Sequence, residues 1–99
     1  MAGIDAYLSH LTVERRLAAN TVESYPRDLQ MLAEFAAGKG IAVEALARTD
    51  LEALVRGLMS EGRSPRSVAR AVACFRGFYR FLVIDGRLKN NPADDLRPP

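Results

Sequence analysis

Apolar residues recur at helical spacing in the N-terminal part of the chain and predict two helices there. The first helix runs from about Ile4 to Arg15, and its buried face is formed by Ile4, Tyr7, Leu8 and Leu11. The second begins at a cap formed by Asn20 or Thr21, with Glu23 at capping-box spacing from Asn20. It ends at Gly38-Lys39-Gly40, because glycine favours a helix stop. Its apolar stripe comprises Val22, Tyr25, Leu29, Leu32, Ala33 and Ala36.

A connector over 41–48 separates these helices from a third, and is expected to hold a short turn around Val43 to Leu46. The third helix begins at the segment TDLE, where Thr49 and Glu52 have capping-box spacing. Gly62 ends it. Its apolar stripe comprises Leu51, Leu54, Val55, Leu58 and Met59.

The fourth helix is the most clearly marked element of the chain. Ser64 is its predicted cap, Pro65 suits its first turn, and it runs to about Ile84 before Asp85-Gly86. One side of a helical wheel carries its apolar residues, namely Val68, Ala71, Val72, Phe75, Phe78, Tyr79 and Leu82. After it, Asn91-Pro92 and the terminal prolines predict a non-helical tail. The chain is therefore expected to be all-α.

The composition fits one compact domain. The chain has 99 residues, of which 48% are apolar, and this suffices for a single core without a second domain. No apolar run approaches the ~20 residues that span a bilayer, and no signal-peptide pattern is visible. Cys74 is the single cysteine and cannot form an internal disulfide. We therefore expect a cytoplasmic protein that is not associated with a membrane.

The charged residues are unevenly distributed along the chain. Residues 1–61 carry six basic and nine acidic residues, whereas residues 62–99 carry eight basic and three acidic residues. The net charge of +2 therefore divides into −3 and +5. Such asymmetry often marks a surface that binds nucleic acid or another polyanion.

The basic residues of the fourth helix lie opposite its apolar stripe. Arg66, Arg70 and Arg80 share this face with the small residues Ala73 and Gly77, Arg76 lies at its edge, and Arg63 extends it before the cap. Small residues let a helix approach a duplex closely, while guanidinium groups reach phosphates or guanine edges. The pattern favours nucleic-acid binding, although a solvated surface helix would also explain it.

Several segments, taken in order, resemble the N-terminal core-binding domain of tyrosine recombinases. They are RRLAANTVESYPRDLQMLAEF and SPRSVARAVACFRGFYRFLVIDGRLKNNPADDL, and the resemblance extends from about Ile4 to Leu96. It is closest to the Xer-type recombinases and related phage or integron integrases. It implies a four-helix, SAM-like bundle over 1–90. Residues 91–99 would begin a linker to a C-terminal catalytic domain that this chain lacks. The most specific pieces are Asn20-Thr21, Tyr25, Asp28-Leu29, the run from Arg76 to Leu82, and Asn91-Pro92-Ala93.

The resemblance implies that the domain binds double-stranded DNA and helps to clamp it for recombination or integration. In this family the second and fourth helices approach the major groove. The full-length subunits form a tetramer on two DNA sites, with the first helix as the expected contact, whereas the isolated domain is expected to be monomeric. Thr21 also suits a helix cap, and Arg27 an ion pair with Glu23. The residues expected to contact DNA are Thr21, Ser24, Arg27, Arg63, Arg66, Arg70, Arg76 and Arg80.

Pro26 departs from the family pattern, which usually has a basic or polar residue at this position. A proline inside a helix removes a backbone hydrogen bond and costs ~3 kcal/mol. We therefore expect the second helix either to begin later or to bend at Pro26. Both outcomes would change where Thr21 and Ser24 lie.

No residue pattern indicates catalysis, a metal site or a cofactor. Tyr7, Tyr25 and Tyr79 lie at core spacing and are interpreted as packing residues, His10 as a solvated residue, and Cys74 as a small buried or half-buried residue. Metal-ligand spacings and glycine-rich phosphate loops are absent from the sequence. The family's nucleophilic tyrosine and its partners belong to the catalytic domain, so this chain is not expected to be an enzyme.

Two alternatives stay open at the level of sequence. The arginine face would also suit a helical protein-interaction domain that binds an acidic partner. A one-domain helix-turn-helix regulator would use the turn at Gly62-Arg63-Ser64 before its recognition helix.

Overall fold

The computed structural model describes residues 2–10 and 19–97, and these form four α-helices. Helix α1 spans Ala2–His10, α2 spans Ala19–Lys39, α3 spans Arg48–Ser60 and α4 spans Pro65–Ile84. A short 3-10 turn at Val43–Ala45 lies in the connector between α2 and α3, as predicted. The described residues contain no strand, so the all-α prediction is confirmed.

Local sequence chemistry accounts for several helix boundaries. The Ser64 hydroxyl accepts a hydrogen bond from the backbone N–H of Ser67 at 3.1 Å, which caps α4 as expected. Gly40 and Gly62 follow α2 and α3 with φ of 68° and 82°, a backbone region that glycine enters without strain. The predicted caps and stops at these three sites are confirmed.

The predicted cap of α3 is wrong by two residues, because the helix already begins at Arg48. Ala47, which has no hydrogen-bonding side chain, is the residue before the helix, and Thr49 and Glu52 do not form a capping box. Instead, Asp50 Oδ2 accepts a hydrogen bond from the backbone N–H of Ala47 at 2.9 Å. The other oxygen of Asp50 lies 3.5 Å from Lys39 Nζ, so this carboxylate also links α3 to the end of α2. An acid in the first turn satisfies an orphan N–H without a cap hydroxyl.

Helix α2 begins earlier than the sequence predicts. It starts at Ala19, so Asn20 and Thr21 are helical residues and not caps. The expectation of a later start caused by Pro26 is also wrong, because the helix is continuous across Pro26. An interior proline removes one backbone hydrogen bond and crowds the carbonyl four residues earlier, and burial of Leu29 and Leu32 in the next turns offsets this cost. The alternative expectation, a bend at Pro26, stays a prediction. The predicted end of the first helix, Leu11 to Arg15, lies outside the described residues.

Helix α4 is the centre of the domain, because it packs against α1, α2 and α3. Its predicted core residues are confirmed as buried, together with Cys74. The Tyr79 hydroxyl donates a hydrogen bond to the carbonyl oxygen of Val43 at 2.8 Å, which joins α4 to the connector. On α3, Leu51, Leu54, Val55 and Leu58 are buried, but Met59 is 37% exposed and does not belong to the core.

The contact between α1 and α4 depends on Gly77. Tyr7 is buried on α1, and its ring centroid lies 5.8 Å from that of Phe78. A Cβ at Gly77 would collide with the Tyr7 hydroxyl oxygen. Gly77 therefore makes room for a neighbouring helix, which is a packing role that the sequence did not reveal.

The segment after α4 folds back onto the helices. It is non-helical, as predicted, but Ala93 and Leu96 are buried in the same core as the helices. The Asn91 side chain donates from Nδ2 to the carbonyl oxygen of Arg76 at 3.3 Å, and its Oδ1 accepts from the backbone N–H of Ala93 at 2.8 Å. The core therefore continues past residue 90 to Leu96.

Substituting Gly77 tests the contact between α1 and α4. We expect Gly77→Ala to lower the free energy of unfolding by about 1–3 kcal/mol, because the new methyl overlaps the Tyr7 hydroxyl. Gly57→Ala on α3 is the matched control. Its Cβ meets nothing within 4 Å, so it should raise stability by about 0.5–1 kcal/mol through helix propensity. Urea denaturation measures both, and Gly77→Ala should cost less in a Tyr7→Phe background. Equal effects of the two alanines would contradict the contact.

Substituting Leu96 tests whether the tail belongs to the core. Leu96 is 3% exposed, and Leu96→Ala should lower the free energy of unfolding by about 2–4 kcal/mol. Ile84→Ala, at a residue that is 76% exposed, should change it by less than about 0.5 kcal/mol. A loss for Leu96→Ala as small as that of Ile84→Ala would show that the tail does not stabilise the bundle.

Candidate nucleic-acid interface

Two arginines of α4 form a solvent-exposed line on the side that faces away from the core. Arg66 and Arg80 are exposed, and exposed Ala73 lies between them. The three residues are spaced by seven, which is close to two helical turns, so they lie on one line along the helix. Neither arginine forms an ion pair with any described residue. This line of two free guanidinium groups around a small residue is called the α4 arginine line below.

Arg70 lies beside that line and is paired with a buried acid on α2. Its Nε donates to Asp28 Oδ2 and its Nη2 donates to Asp28 Oδ1, both at 3.1 Å. The Asp28 side chain is 1% exposed, whereas that of Arg70 is 40% exposed. The hydrogen bond to Asp28 raises the pKa of the Arg70 guanidinium. The pair therefore closes the seam between α2 and α4, and Arg70 forms its solvent side.

Arg76 lies on the opposite edge of α4, next to the tail. It is only half-exposed, and its Nε is buried without a hydrogen-bond partner among the described residues. Its backbone carbonyl binds Asn91, as described above. A shallow depression at this edge is lined by Ala73, Arg76, Gly77, Arg80, Asn91 and Asp94. The tail thus partly covers Arg76 and leaves Arg80 exposed.

The remaining predicted contact residues lie around the N-terminal end of α4 and on α2. Arg63 is exposed before the Ser64 cap, and its Nε lies 3.2 Å from Glu61 Oε1. Arg27 is exposed on α2, directly before Asp28. Thr21 and Ser24 belong to α2 through their backbone, but their side chains lie outside the described part of the chain, as does that of Glu23. The expected pairing of Arg27 with Glu23 therefore stays a prediction.

Asp28 is a functional candidate that is absent from the predicted contact residues. A signal for it was present, because Asp28 lies on the apolar stripe of α2, three residues after Tyr25 and four before Leu32. A carboxylate at such a position needs a partner, since burying an unpaired charge is very costly. The partner is 42 residues away, so no local pattern could identify Arg70.

The tyrosine and cysteine side chains of the described residues are buried or pack against the core. Tyr7 and Tyr79 are buried and Tyr25 packs against the core, which confirms their packing role. Burial raises the pKa of the Tyr79 phenol and of the buried Cys74 thiol, so both groups stay protonated at neutral pH. Cys74 Sγ lies 4.0 Å from the carbonyl oxygen of Tyr25. The side chain of His10 lies outside the described residues.

Residues 2–10 and 19–97 contain no group of three or more His, Cys, Asp and Glu side chains that could hold a metal ion. Over the same ranges, no helix has both the length and the apolar character needed to cross a membrane.

Comparison with known proteins identifies the family of this domain. The family model described as "Phage integrase, N-terminal SAM-like domain" matches residues 4–86. Tyrosine recombinase XerC of Azotobacter vinelandii is 39% identical over 99 residues, and XerC of Pseudomonas aeruginosa PAO1 is 37% identical over 99 residues. Tyrosine recombinase XerD of Listeria innocua is 35% identical over 98 residues.

These matches span nearly the whole chain but only part of each relative. They cover 97–99% of this chain and 33% of the relatives, so the chain spans about a third of the length of the proteins it resembles. No solved structure gives a significant match. The SAM-like, four-helix prediction is confirmed, since the family match covers most of the chain and the described residues form four helices. The chain belongs to the family of phage integrase N-terminal SAM-like domains.

Proposed function

We propose that this domain binds double-stranded DNA through the α4 arginine line and the adjacent part of α2. The observation that carries the proposal is the exposed line of Arg66, Ala73 and Arg80, which no acid of the described residues neutralises. A helix that only has to stay soluble does not need a face with basic residues alone, because a mixture of acidic and basic residues keeps it soluble equally well. Phosphate groups are the natural ligands of unpaired guanidinium groups.

The spacing along α4 suits a duplex. At a rise of 1.5 Å per residue, the Cα atoms of Arg66 and Arg80 are about 21 Å apart. A major groove is about 12 Å wide, so two long arginine side chains can reach the phosphates on its two sides. Ala73, midway between them, lets the helix axis come close to the groove. Arg27 adds a further exposed cation from α2.

We further propose that the domain acts within a site-specific tyrosine recombinase. Its relatives carry that name, and the chain corresponds to about a third of their length. In this proposal the domain supplies DNA contact and positioning, and the strand-exchange chemistry belongs to another part of the protein. The buried or packed tyrosines of the described residues are consistent with that division, because a nucleophile must reach a phosphate. Recombinase subunits would then be its protein partners.

Removing the α4 arginine line tests DNA binding directly. The variant Arg66→Ala/Arg80→Ala should bind a 20-base-pair duplex at least about tenfold more weakly, measured by fluorescence anisotropy at low salt. The slope of log K against log[salt] should become shallower by about 2, since each lost phosphate contact contributes about 1.

The matched control removes the same charge from another surface. Arg56 and Arg97 are exposed around a depression between α3 and the tail, so Arg56→Ala/Arg97→Ala should leave the salt slope nearly unchanged. Equal losses in both double variants would mean that binding reflects net charge alone. Absence of DNA binding by the unmodified domain, together with saturable capture of an acidic protein partner, would favour the protein-interaction function instead.

A further inference from the structure

We propose that Asp28 is a positioning residue that holds the Arg70 guanidinium so that its outer edge binds a pair of acceptor atoms on DNA. The inference rests on the proposed function, because it concerns the same DNA-facing surface. It assigns to Asp28, a buried acid, a part in recognising a polyanion. The juxtaposition that carries it is a two-point ion pair in which one member is buried and the other is accessible.

The geometry of the pair leaves one edge of Arg70 available. A guanidinium has five N–H donors arranged along its edges. Asp28 occupies the side edge, formed by Nε and one N–H of Nη2. The outer edge, formed by Nη1 and the second N–H of Nη2, has no partner among the described residues. The Arg70 side chain as a whole is 40% exposed, and Nη1 is not one of the buried atoms that lack a partner.

Asp28 fixes the orientation of that edge. A free arginine samples many rotamers and loses this freedom when it binds. Two hydrogen bonds of 3.1 Å to a carboxylate that is itself buried restrict the guanidinium to one plane and one direction. The fold therefore orders the Arg70 guanidinium before a ligand binds. Lysine could not take this part, because an ammonium has no planar fork.

Stability alone is a weak explanation for the pair. Asp28 lies on an apolar stripe, between Tyr25 and Leu29, where an apolar residue would continue the core without desolvating a charge. Replacing a buried ion pair by packed apolar residues is often neutral or stabilising. An apolar residue could not, however, hold an arginine at the seam between α2 and α4.

The position of Arg70 matches the proposed interface. Arg66 lies one turn before it on α4, and Arg27 directly precedes its partner on α2, and both are exposed. Each helix of the pair therefore carries a further exposed cation within one turn of Asp28 or Arg70 along the chain. Two phosphate oxygens, or N7 and O6 of a guanine, present the paired acceptors that such an edge binds.

The decisive variant is Asp28→Asn, because two explanations predict opposite results. Asp28→Asn removes one negative charge beside the interface, so an attraction based on charge alone predicts tighter DNA binding. Positioning predicts weaker binding, by about 5- to 50-fold, since the outer edge is no longer oriented. Arg70→Lys keeps the charge and should weaken binding by a similar factor. The double variant Asp28→Asn/Arg70→Lys should bind DNA no more weakly than either single variant.

Asp85→Asn is the matched control. It removes the carboxylate that lies 3.0 Å from Arg87 Nε, and so changes the net charge by the same amount as Asp28→Asn. The affinity for DNA should therefore be unchanged or slightly higher. Circular dichroism establishes that each variant is folded. Should Asp28→Asn unfold, Arg70→Lys carries the test, and unchanged affinity of a folded Arg70→Lys would overturn the proposal.

The outcomes separate this inference from the proposed function. If the unmodified domain and the Asp85→Asn variant bind DNA, and Asp28→Asn binds equally or more tightly, positioning by Asp28 is overturned while DNA binding stands. If the unmodified domain does not bind, the proposed function fails first, and positioning fails with it. A duplex made only of A·T pairs identifies the acceptor. If Arg70 binds phosphate, Asp28→Asn should still weaken binding to this duplex. If Arg70 binds guanine, Asp28→Asn should have no effect on it.

Discussion

Helix α4 has to bury a wide aromatic face, and this requirement fixes most of the domain. Phe75, Phe78 and Tyr79 are buried completely or nearly so, and each such side chain contributes about 1.5–3 kcal/mol through removal from water. Because α1, α2 and α3 all pack against α4, the fully exposed positions between its two ends are confined to one narrow line. The residues on that line are Arg66, Ala73 and Arg80. The packing of the core thus determines which cations are displayed.

The two edges of α4 are closed by polar contacts between distant parts of the chain. On one edge Asp28 binds Arg70 and so joins α2 to α4. On the other edge Asn91 binds the backbone of Arg76, and the tail is held further by burial of Leu96 and by the ion pair of Arg48 with Asp95. The four arginines of α4 are consequently different in kind: two are free, one is held by an acid, and one is partly covered. A helical wheel separates only Arg76, at the edge of the face, from the other three.

Features set by local periodicity were accessible from the sequence, and those set by tertiary contact were not. The core of α4 follows from large apolar residues at a period of 3.6, and its start from Ser64 and Pro65. The role of Gly77 was hidden, because a small residue on an outer face suggests open space until Tyr7 is placed against it. Asp28 was recognisable as an anomaly on an apolar stripe, but its partner lies 42 residues away. Burial of the tail likewise depends on surfaces that only the assembled helices provide.

The central claim is that the α4 arginine line and its seam with α2 face DNA. An amide-shift NMR titration of the domain with a short duplex, repeated at two salt concentrations, tests it most directly. We predict shifts that cluster at Arg27, Arg66, Arg70 and Arg80 and that weaken as salt rises, because phosphate contacts release counterions. Absence of shifts at low salt and high protein concentration, or shifts confined to α3 and the tail, would contradict this account.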